Sequence, residues 1–572
     1  MARRADALAL DGAARVTPAN AAIWYAPDGY DPAEKGINGR RVAGESFLRG
    51  FLRHAEAEEF VCLTHGPGDA QHFRAFAARQ AVTRPIRGVR LEASGQIAPV
   101  AVISYPSPNF ATECWRRAPL GGAAHAICGI THTTATKAVM QGMFDLRCAP
   151  QQPWDAVICT SRAVKASLEA QMEAADAFLA ARFQGQVPPR PLLPVLPLGV
   201  HCDDFIPDAA AGAALRARLG IGGADIACAI IARLTPHEKF DPLPLYLALA
   251  RAQRQTGLRF HLLLCGQFRD DYARKVFAEG ARGMMPEVGF HILDGGEAAA
   301  RKATLAAAQI FLFPIDNVQE TFGLAPVEAM AAGLPVIVTD WDGMRDTVTE
   351  DVGIRVPTEG PRADLTGHLG LRHFGGTDGY VQYLSQLSAL TRVDLRALTA
   401  ALVALGSDAG LRARMAAAGR ARARALYDWS VVIPQYQALW GEQAAMLARA
   451  RETSAAPAPL DPLRLPPAPS PGVFFAAYPS RSGPDVTRRF RASLRHDRPD
   501  LAATLALRDY AGVKRVFEAP AHVARVLAAL DEAGAEGAEA GALARRSELP
   551  GRALLRILLW LLKYDLAEEV PP

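Results

Sequence analysis

Short apolar runs alternate with longer amphipathic stretches along most of this chain. The apolar runs have the length and composition of strands buried on both faces, and the stretches between them have helical periodicity. Such alternation is typical of a parallel sheet covered by helices. The first series predicts strands at residues 21–25, 60–63, 100–104, 156–159 and 192–196, and helices at 44–54 and 163–181.

The same alternation begins again near residue 226. It predicts strands at 226–232, 260–265, 310–313 and 335–339, with helices at 242–255 and 326–332. The chain is therefore predicted to be α/β, with two doubly wound, Rossmann-like domains at residues 1–203, ordered from about residue 20, and 204–450. In such folds ligands bind outside the carboxyl ends of the strands. The cleft between the two domains is the expected site.

The last quarter of the chain has a different composition. Seven prolines fall among the nineteen residues 453–471, so residues 451–471 are predicted to be a semi-rigid linker. Residues 472–572 are predicted to form a small, mainly helical module of three helices that resembles a winged helix, with no wing after the third helix. Because few cations line that third helix, a protein partner for 472–572 is favoured over DNA.

Composition and charge narrow the range of functions. The chain is 50% hydrophobic and 21% charged, as in soluble enzymes, and its net charge of +4 indicates no general affinity for nucleic acid or membrane. Local groups of arginines predict either a solvated face or contact with anionic lipid or an anionic acceptor. They are Arg79, Arg84, Arg87, Arg90, Arg116 and Arg117.

The location of the protein follows from its cysteines and its apolar runs. The eight cysteines form no CxxC pair, which favours a reducing compartment over a disulfide framework or a zinc site. The sequence shows neither a signal-peptide pattern nor an apolar run of spanning length. We expect a cytoplasmic protein, with at most peripheral contact at the inner face of the membrane.

Two carboxylates, Glu320 and Glu328, bracket a glycine turn between predicted strands. The turn and the short helix after it offer free backbone N–H groups at the carboxyl end of the sheet, and Gly323 permits close approach of a ligand. For Glu328, stabilisation by the helix dipole in the first turn is an equally simple explanation. Together the two acids indicate a ligand with hydroxyls and a phosphate.

Cations that could bind the phosphate follow the predicted strand 226–232. Arg233 and Lys239 flank the loop after this strand, and an Arg with a Lys can neutralise a diphosphate without a metal ion. Taken without the rest of the motif, Arg233 and Lys239 could simply be exposed cations of a loop. Their predicted position at the same edge of the sheet as Glu320 and Glu328 favours the binding role.

These motifs resemble the family-four retaining glycosyltransferases of the GT-B fold. The resemblance rests on Arg233 with Lys239, on Glu320 and Glu328 with the 333–336 segment Gly-Leu-Pro-Val, and covers roughly residues 20–445. Gly199, Val200 and Phe205 resemble the interdomain segment of the family, and Trp429 its closing helix. The chain departs from the family pattern at Ala232, Phe240 and the 266–267 turn, none of which removes a charge.

The resemblance implies roles for individual residues. Arg233 and Lys239 would hold the donor diphosphate, while Glu320 and the backbone of Phe322, Gly323 and Leu324 would hold sugar hydroxyls. Glu328 would bind the ribose. His132 would lie near the reacting sugar, although a lone histidine is otherwise often a structural hydrogen-bonding group. Gly39 and Gly44, in the 36–45 loop, would face the donor phosphate, unless this loop is an ordinary strand-to-helix turn.

The implied activity is transfer of a sugar from a nucleoside diphosphate sugar to a glycan, lipid-linked or small-molecule acceptor with retention (EC 2.4, hexosyltransferase type). Its setting would be cell-envelope or polysaccharide biosynthesis, without a metal ion or other cofactor. The Asp340-Trp341-Asp342 string is predicted to be a loop rather than a metal site. Two alternatives remain: a sugar-nucleotide epimerase or phosphorylase on the same fold, and an interaction protein that acts through its tail.

Overall fold

The computed structural model describes residues 19–31, 39–453, 455–510, 512–513 and 517–571. The start of the first predicted domain, residues 1–18, and residues 36–38 of the predicted phosphate-facing loop lie outside the described residues. The chain divides into two compact units, Met1–Asp461 and Pro462–Pro572. The first unit contains both predicted α/β domains.

The first α/β domain is built on a sheet of six parallel strands in the order β3-β2-β1-β4-β5-β6. Its strands are β1 (Ala21–Tyr25), β2 (Phe60–Thr64), β3 (Ile86–Arg90), β4 (Val102–Tyr105), β5 (Ala126–Ile130) and β6 (Ala156–Ile158). Its helices are α1 (Pro27–Tyr30), α2 (Gly39–His54), α3 (Pro67–Arg79), α4 (Ala111–Arg117), α5 (Lys137–Cys148) and α6 (Arg162–Phe183).

The second domain repeats this topology with strands in the order β12-β11-β10-β7-β8-β9, again all parallel. The strands are β7 (Ile226–Leu234), β8 (Phe260–Phe268), β9 (Gly289–Asp294), β10 (Ile310–Phe313), β11 (Val336–Thr339) and β12 (Gly353–Val356). The helices up to β12 are α7 (Ala209–Arg218), α8 (Pro242–Thr256), α9 (Asp271–Met284), α10 (Ala298–Ala307), α11 (Leu324–Ala331) and α12 (Met344–Thr347).

Further elements complete the second domain after β12. Two short antiparallel strands are connected by two helices. Two more helices and a long terminal helix follow. They are β13 (Thr358–Glu359), α13 (Ala363–Phe374), α14 (Tyr380–Ala389), β14 (Arg392–Val393), α15 (Leu395–Ser407), α16 (Ala409–Arg422) and α17 (Trp429–Glu452).

The predicted fold class of two doubly wound, Rossmann-like domains is confirmed by these sheets. The order of strands reverses between β1 and β4 in one sheet and between β7 and β10 in the other. At such a reversal the connecting loops diverge and leave a crevice outside the carboxyl ends of the strands. Those two crevices are the expected positions for ligands in this fold.

Several strands escaped the prediction because they are weakly apolar. β3, β9 and β12 lie at sheet edges and expose part of their residues, and the inner strand β5 contains Gly129. The predicted strand at 192–196 is wrong: Leu192 and Val195 make only isolated bridges beside β6. The apolar pattern identifies strands that are buried on both faces, and edge strands lack it.

The long helix α17 connects the two domains. It follows the second domain in sequence, but its buried side packs into the core of the first domain with Phe51, Phe60 and other residues. Just before it, Val200 and Asp428 pair, with the Val200 amide donating to the Tyr427 carbonyl (2.7 Å). The predicted 204–450 domain therefore ends in a helix that belongs structurally to its neighbour.

The arginines of the first domain mostly have partners. Arg117 is buried and forms a bidentate pair with Asp155, at 2.6 and 2.8 Å. Arg84 donates to the backbone carbonyls of Leu52 (2.8 Å) and Ala55 (2.6 Å). A solvated or lipid-facing surface is thus the wrong interpretation of these two arginines, because both are used inside the fold.

The second unit is a small, mainly helical domain. Its elements are α18 (Pro471–Phe474), β15 (Arg489–Ala492), α19 (Leu501–Leu507), α20 (Pro520–Glu532), β16 (Ala538–Glu539), α21 (Ala540–Arg546), α22 (Gly551–Lys563) and β17 (Ala567–Glu569). The strands form an antiparallel sheet in the order β16-β15-β17. The predicted small, mainly helical C-terminal domain is confirmed. The prediction lacked this sheet, including the strand after the third predicted helix, because strands of two to four residues leave no apolar pattern.

Within the described ranges, no helix combines the length and apolar character that crossing a bilayer requires.

We expect Gly199→Ala to destabilise the first unit. A Cβ at Gly199 would lie 2.3 Å from Cδ2 of Trp429, which is buried between the two domains. Overpacking of this kind costs about 1–3 kcal/mol, so the melting temperature should fall by calorimetry. Gly283→Ala in α9 is the control, because open space surrounds that position. An unchanged melting temperature for Gly199→Ala would contradict the prediction.

Candidate active site

The carboxyl edges of the two sheets face each other across the first unit. The Thr321 hydroxyl, after β10, donates to the carbonyl of His132, after β5 (3.2 Å). The Thr160 hydroxyl, after β6, donates to the carbonyl of Thr321 (3.2 Å). The loops that follow the strands of both domains therefore meet at one place.

Arg233 lies at the strand reversal of the second domain. It is a residue of β7 rather than of the loop after it, because pairing with β8 continues to Leu234. Its guanidinium donates to Glu238 (3.1 Å) and to the side-chain oxygen of Gln319. Glu238 is buried and also pairs with Arg269, which follows β8. One carboxylate thus holds two arginines at the edge of the sheet.

Lys239 and Glu320 form an ion pair that joins the loops after β7 and β10. The two side chains are only 19% and 15% exposed, and the Lys239 ammonium also lies 4.9 Å from the ring centre of Phe313. Burial by itself would raise the pKa of Glu320, but the charge and hydrogen bond of Lys239 hold that pKa below its usual range. Glu320 is therefore ionised near neutral pH.

Gly323 caps the helix between the two acids. Its φ of +80° favours glycine, and its amide donates to Glu320 (2.9 Å). Helix α11 consequently begins at Leu324, two residues before the predicted start, and Glu328 is its fifth residue. The prediction of an acid in the first helical turn is therefore wrong, and the dipole explanation for Glu328 loses its basis.

Glu328 has an unusual protonation equilibrium. Burial raises the pKa of its carboxyl to about 7, although the charge of Arg301 on α10 opposes the shift. The two acids of the motif thus differ, one ionised and one partly protonated at neutral pH. An ionised carboxylate accepts hydrogen bonds from hydroxyls, and a protonated carboxyl can also donate one.

The predicted residues of the first domain lie in different settings. His132 is half-buried, beside the loop that contains Glu320, as its contact with Thr321 requires. Gly39 begins α2 and Gly44 lies inside it, so the predicted loop at 36–45 is helical from residue 39. A Cβ at Gly44 would lie 2.2 Å from the carbonyl oxygen of Gly29. Close packing of α1 on α2 thus accounts for Gly44.

Residues after β11 complete the contact between the domains. Asp342 accepts a hydrogen bond from Ser161 (2.5 Å), and Asp346 accepts two from Arg162, at 2.6 and 2.7 Å. The Asp340-Trp341-Asp342 string forms a turn, as predicted, between β11 and α12. Across the described ranges, no group of three or more His, Cys, Asp or Glu side chains is placed to hold a metal ion.

A groove opens at the carboxyl ends of β8 and β9, next in sequence to Arg269. Residues 266–268, 292–294 and Arg274 line it. The lining combines apolar side chains, such as Phe268, with the charged side chains of Arg274 and Asp294.

Sequence reasoning missed three residues that organise this site: Glu238, Arg269 and Gln319. Glu238 stands directly before Lys239, and Gln319 directly before Glu320. Their adjacency to the motif residues was an available signal. Arg269 gave none, because only the parallel pairing of β7 with β8 brings it to Glu238.

Stability should depend on pH through Asp342. Burial, with the charges of Glu320 and Asp346, raises its pKa to about 7, although the Ser161 hydrogen bond opposes this. The folded protein then retains a proton that the unfolded chain releases, so this contribution to stability is lost as pH rises from about 4 to about 7.

We therefore expect Asp342→Asn to reduce the fall in melting temperature between pH 5 and pH 8. The exposed Asp145→Asn should retain the fall seen in the wild-type protein. Equal falls in all three proteins, measured by calorimetry in matched ionic strength, would contradict the assigned titration.

Part of the second domain matches a known protein family, and the chain is also similar to characterised proteins. Residues 228–366 match the family profile described as glycosyl transferases group 1. The chain is 33% identical over 177 residues to a phosphatidyl-myo-inositol mannosyltransferase of Mycobacterium leprae, covering 30% of this chain and 36% of the relative. The corresponding protein of Mycobacterium tuberculosis is 30% identical over 161 residues, covering 28% and 34%. The chain thus spans about a third of the length of these curated relatives.

Solved structures show similarity over a longer stretch. Anabaena HepE in complex with UDP is 15% identical, with a TM-score of 0.44, covering 71% of this chain and 96% of that protein. Sucrose-phosphate synthase of Thermosynechococcus elongatus is 18% identical, with a TM-score of 0.44, covering 74% and 99%. The segment 228–366 that matches the glycosyl transferases group 1 profile includes Arg233, Lys239, Glu320 and Glu328.

Proposed function

We propose that this protein is a retaining glycosyltransferase that moves a sugar from a nucleoside diphosphate sugar to an acceptor hydroxyl. The observation that carries this proposal is the convergence of Arg233, Lys239 and Glu320 at the strand reversal of a group 1 glycosyltransferase domain. Cations and a carboxylate at such an edge suit a ligand that joins a diphosphate to a sugar.

The donor diphosphate would bind at Lys239 and Arg233. Both cations already have carboxylate partners, Glu320 and Glu238. A diphosphate carries more negative charge than one carboxylate, so it can draw Lys239 away from Glu320. The released Glu320 can then accept hydrogen bonds from the sugar hydroxyls, and the backbone amides at Phe322, Gly323 and Leu324 would donate to the hydroxyl oxygens. In this way donor binding would prepare the sugar site.

The remaining groups would position the nucleoside and the reacting sugar. Glu328, whose carboxyl has a pKa of about 7, would bind the ribose hydroxyls, and the groove at the ends of β8 and β9 would take the base. His132 would lie beside the sugar. Gly39 at the start of α2 would face the phosphate.

Catalysis would rest on the cations rather than on the acids. As the bond between the anomeric carbon and the diphosphate oxygen breaks, that oxygen gains negative charge, which Arg233 and Lys239 stabilise without a metal ion. The acceptor oxygen forms the new bond to the anomeric carbon, and its proton would pass to the departing diphosphate oxygen. Glu320 and Glu328 position the donor, unlike the acid pair of a glycosidase. Closure of the facing loops would exclude water and limit hydrolysis of the donor.

The acceptor is proposed to be a glycan, a lipid-linked molecule or a small molecule. A phosphatidyl-myo-inositol mannosyltransferase among the relatives favours testing a lipid acceptor first. A lipid acceptor would require the protein to work at the membrane surface.

A thermal-shift screen against UDP-, GDP- and ADP-sugars tests the donor class. A ligand that binds only the folded state raises the melting temperature. One of these nucleotide sugars should therefore raise it, and so should the nucleoside diphosphate of the same base when it is added alone. Incubation with phosphoinositide, glycan and sugar acceptors should then release free nucleoside diphosphate. Conversion of the donor to an epimer, or phosphate-dependent release of a sugar phosphate, would instead indicate an epimerase or a phosphorylase.

We expect Lys239→Ala to lower turnover by about 100-fold or more, the size of effect typical for loss of one group that stabilises transition-state charge. Lys275→Ala, an exposed position on α9, is the matched control and should retain full turnover. Circular dichroism should show both variants folded. Near-normal turnover of Lys239→Ala would contradict the role assigned to this residue.

A further inference from the structure

A helical hairpin lies over the proposed donor site. It consists of α13 and α14 and is inserted between the paired strands β13 and β14. The match to the glycosyltransferase profile ends at residue 366, near the start of α13. Helix α14 therefore lies beyond the matched part of the chain, and its role has to be deduced from its contacts.

Helix α14 is fixed on the loops that follow β7 and β10. The Ser385 hydroxyl is 3.1 Å from Nδ1 of His237, in the loop that also contains Lys239. Ser388 is buried and lies beside the carboxyl of Asp316, just after β10. These two contacts hold one face of α14 against the site, so its first turn is held beside Arg233.

The first residue of α14, Tyr380, reaches Arg233 through one intermediate side chain. Gln319 uses both ends of its amide: the nitrogen donates to the Tyr380 hydroxyl (2.9 Å), and the oxygen accepts from the Arg233 guanidinium. Because a guanidinium only donates hydrogen bonds, the amide oxygen of Gln319 must face Arg233, and the amide nitrogen is left to donate to a second partner. The Tyr380 hydroxyl is that partner, and it thereby holds Gln319 in the orientation that supports Arg233.

The turn before Tyr380 is braced. Asp378 is buried and accepts a bidentate pair from Arg372, at 2.7 and 2.6 Å, and a further hydrogen bond from Gln386 (3.1 Å). The ring centre of Phe374, the last residue of α13, lies 5.5 Å from the ammonium of Lys137, the first residue of α5. The hairpin thus contacts both α/β domains at their facing edges.

We propose that the α13–α14 hairpin is a wall of the donor site and that Tyr380 is a positioning residue, which orients Arg233 through Gln319 toward the donor diphosphate. The inference deepens the proposed function and rests on it. The Arg233 side chain is 45% exposed, so without this support it would sample several orientations. Holding a flexible cation in its binding orientation lowers the entropic cost of ligand binding.

Tyr380→Phe tests the inference, because it removes only the hydroxyl oxygen. We expect the KM for the nucleotide sugar and the Kd for the matching nucleoside diphosphate each to rise about five-fold, the effect of one hydrogen bond. The change in kcat should be smaller. Tyr383→Phe, one turn along the same helix, is the matched control and should leave all three constants unchanged.

A double-mutant cycle separates positioning from a general effect on folding. In a Gln319→Ala background, Tyr380→Phe should have no further effect on the Kd, because the intermediate side chain is already lost. The same holds in an Arg233→Ala background. Additive losses in either background, or a Tyr380→Phe protein with wild-type constants, would overturn the inference. Melting temperatures measured on every variant show whether a loss arises from unfolding instead.

The two proposals fail in distinguishable ways. If the wild-type protein binds a nucleoside diphosphate and turns over its sugar, the proposed function stands, and only the cycle decides the role of Tyr380. A wild-type protein that binds none of UDP, GDP and ADP would overturn both.

Discussion

The ion pair between Lys239 and Glu320 is the interaction on which the proposed chemistry depends. It joins the loops after β7 and β10, the two neighbouring strands at which the order of the second sheet reverses. The pair is largely shielded from water, so removal of either member would leave the other charge poorly compensated. A diphosphate that replaces Glu320 as the partner of Lys239 would keep the ammonium compensated, and hydrogen bonds from the sugar hydroxyls would compensate the released Glu320.

Most of the residues around the pair orient the charged side chains of the site through hydrogen bonds and ion pairs. Glu238 holds Arg233 and Arg269, Gln319 holds Arg233, and the Gly323 amide holds Glu320. The sequence assigned no ligand-binding role to the supporting side chains Glu238 and Gln319. Orientation of charged side chains before a ligand arrives is what makes electrostatic stabilisation effective in a site that excludes water.

The same edge of the second domain also faces the first domain. Thr321, next to Glu320, bonds the His132 carbonyl, and Asp342 and Asp346 bond the start of α6. The loop that would hold the donor sugar is thus part of the contact between the domains. A change in that loop would therefore also alter contacts with the first domain, and Trp429 packs closely against Gly199 where the chain passes between the two domains.

The sequence by itself determined the fold class and most of the charged groups of the site. Strands buried on both faces leave continuous apolar runs, and the charged residues directly after them must lie at one edge of a parallel sheet. It could not give the edge strands β3, β9 and β12, whose exposed residues interrupt the apolar pattern. It also gave no sign that α17 packs on the first domain, since amphipathic periodicity does not name the partner of a helix.

Only the tertiary structure decided how the site is supported. Arg269 meets Glu238, and Tyr380 meets Gln319, across separations of 31 and 61 residues. Contacts of this kind depend on strand register and on where an inserted hairpin folds back. The protonation of Glu328 likewise follows from burial, which the folded chain alone creates. Local pattern supplied the chemistry of the site, and long-range packing supplied its geometry.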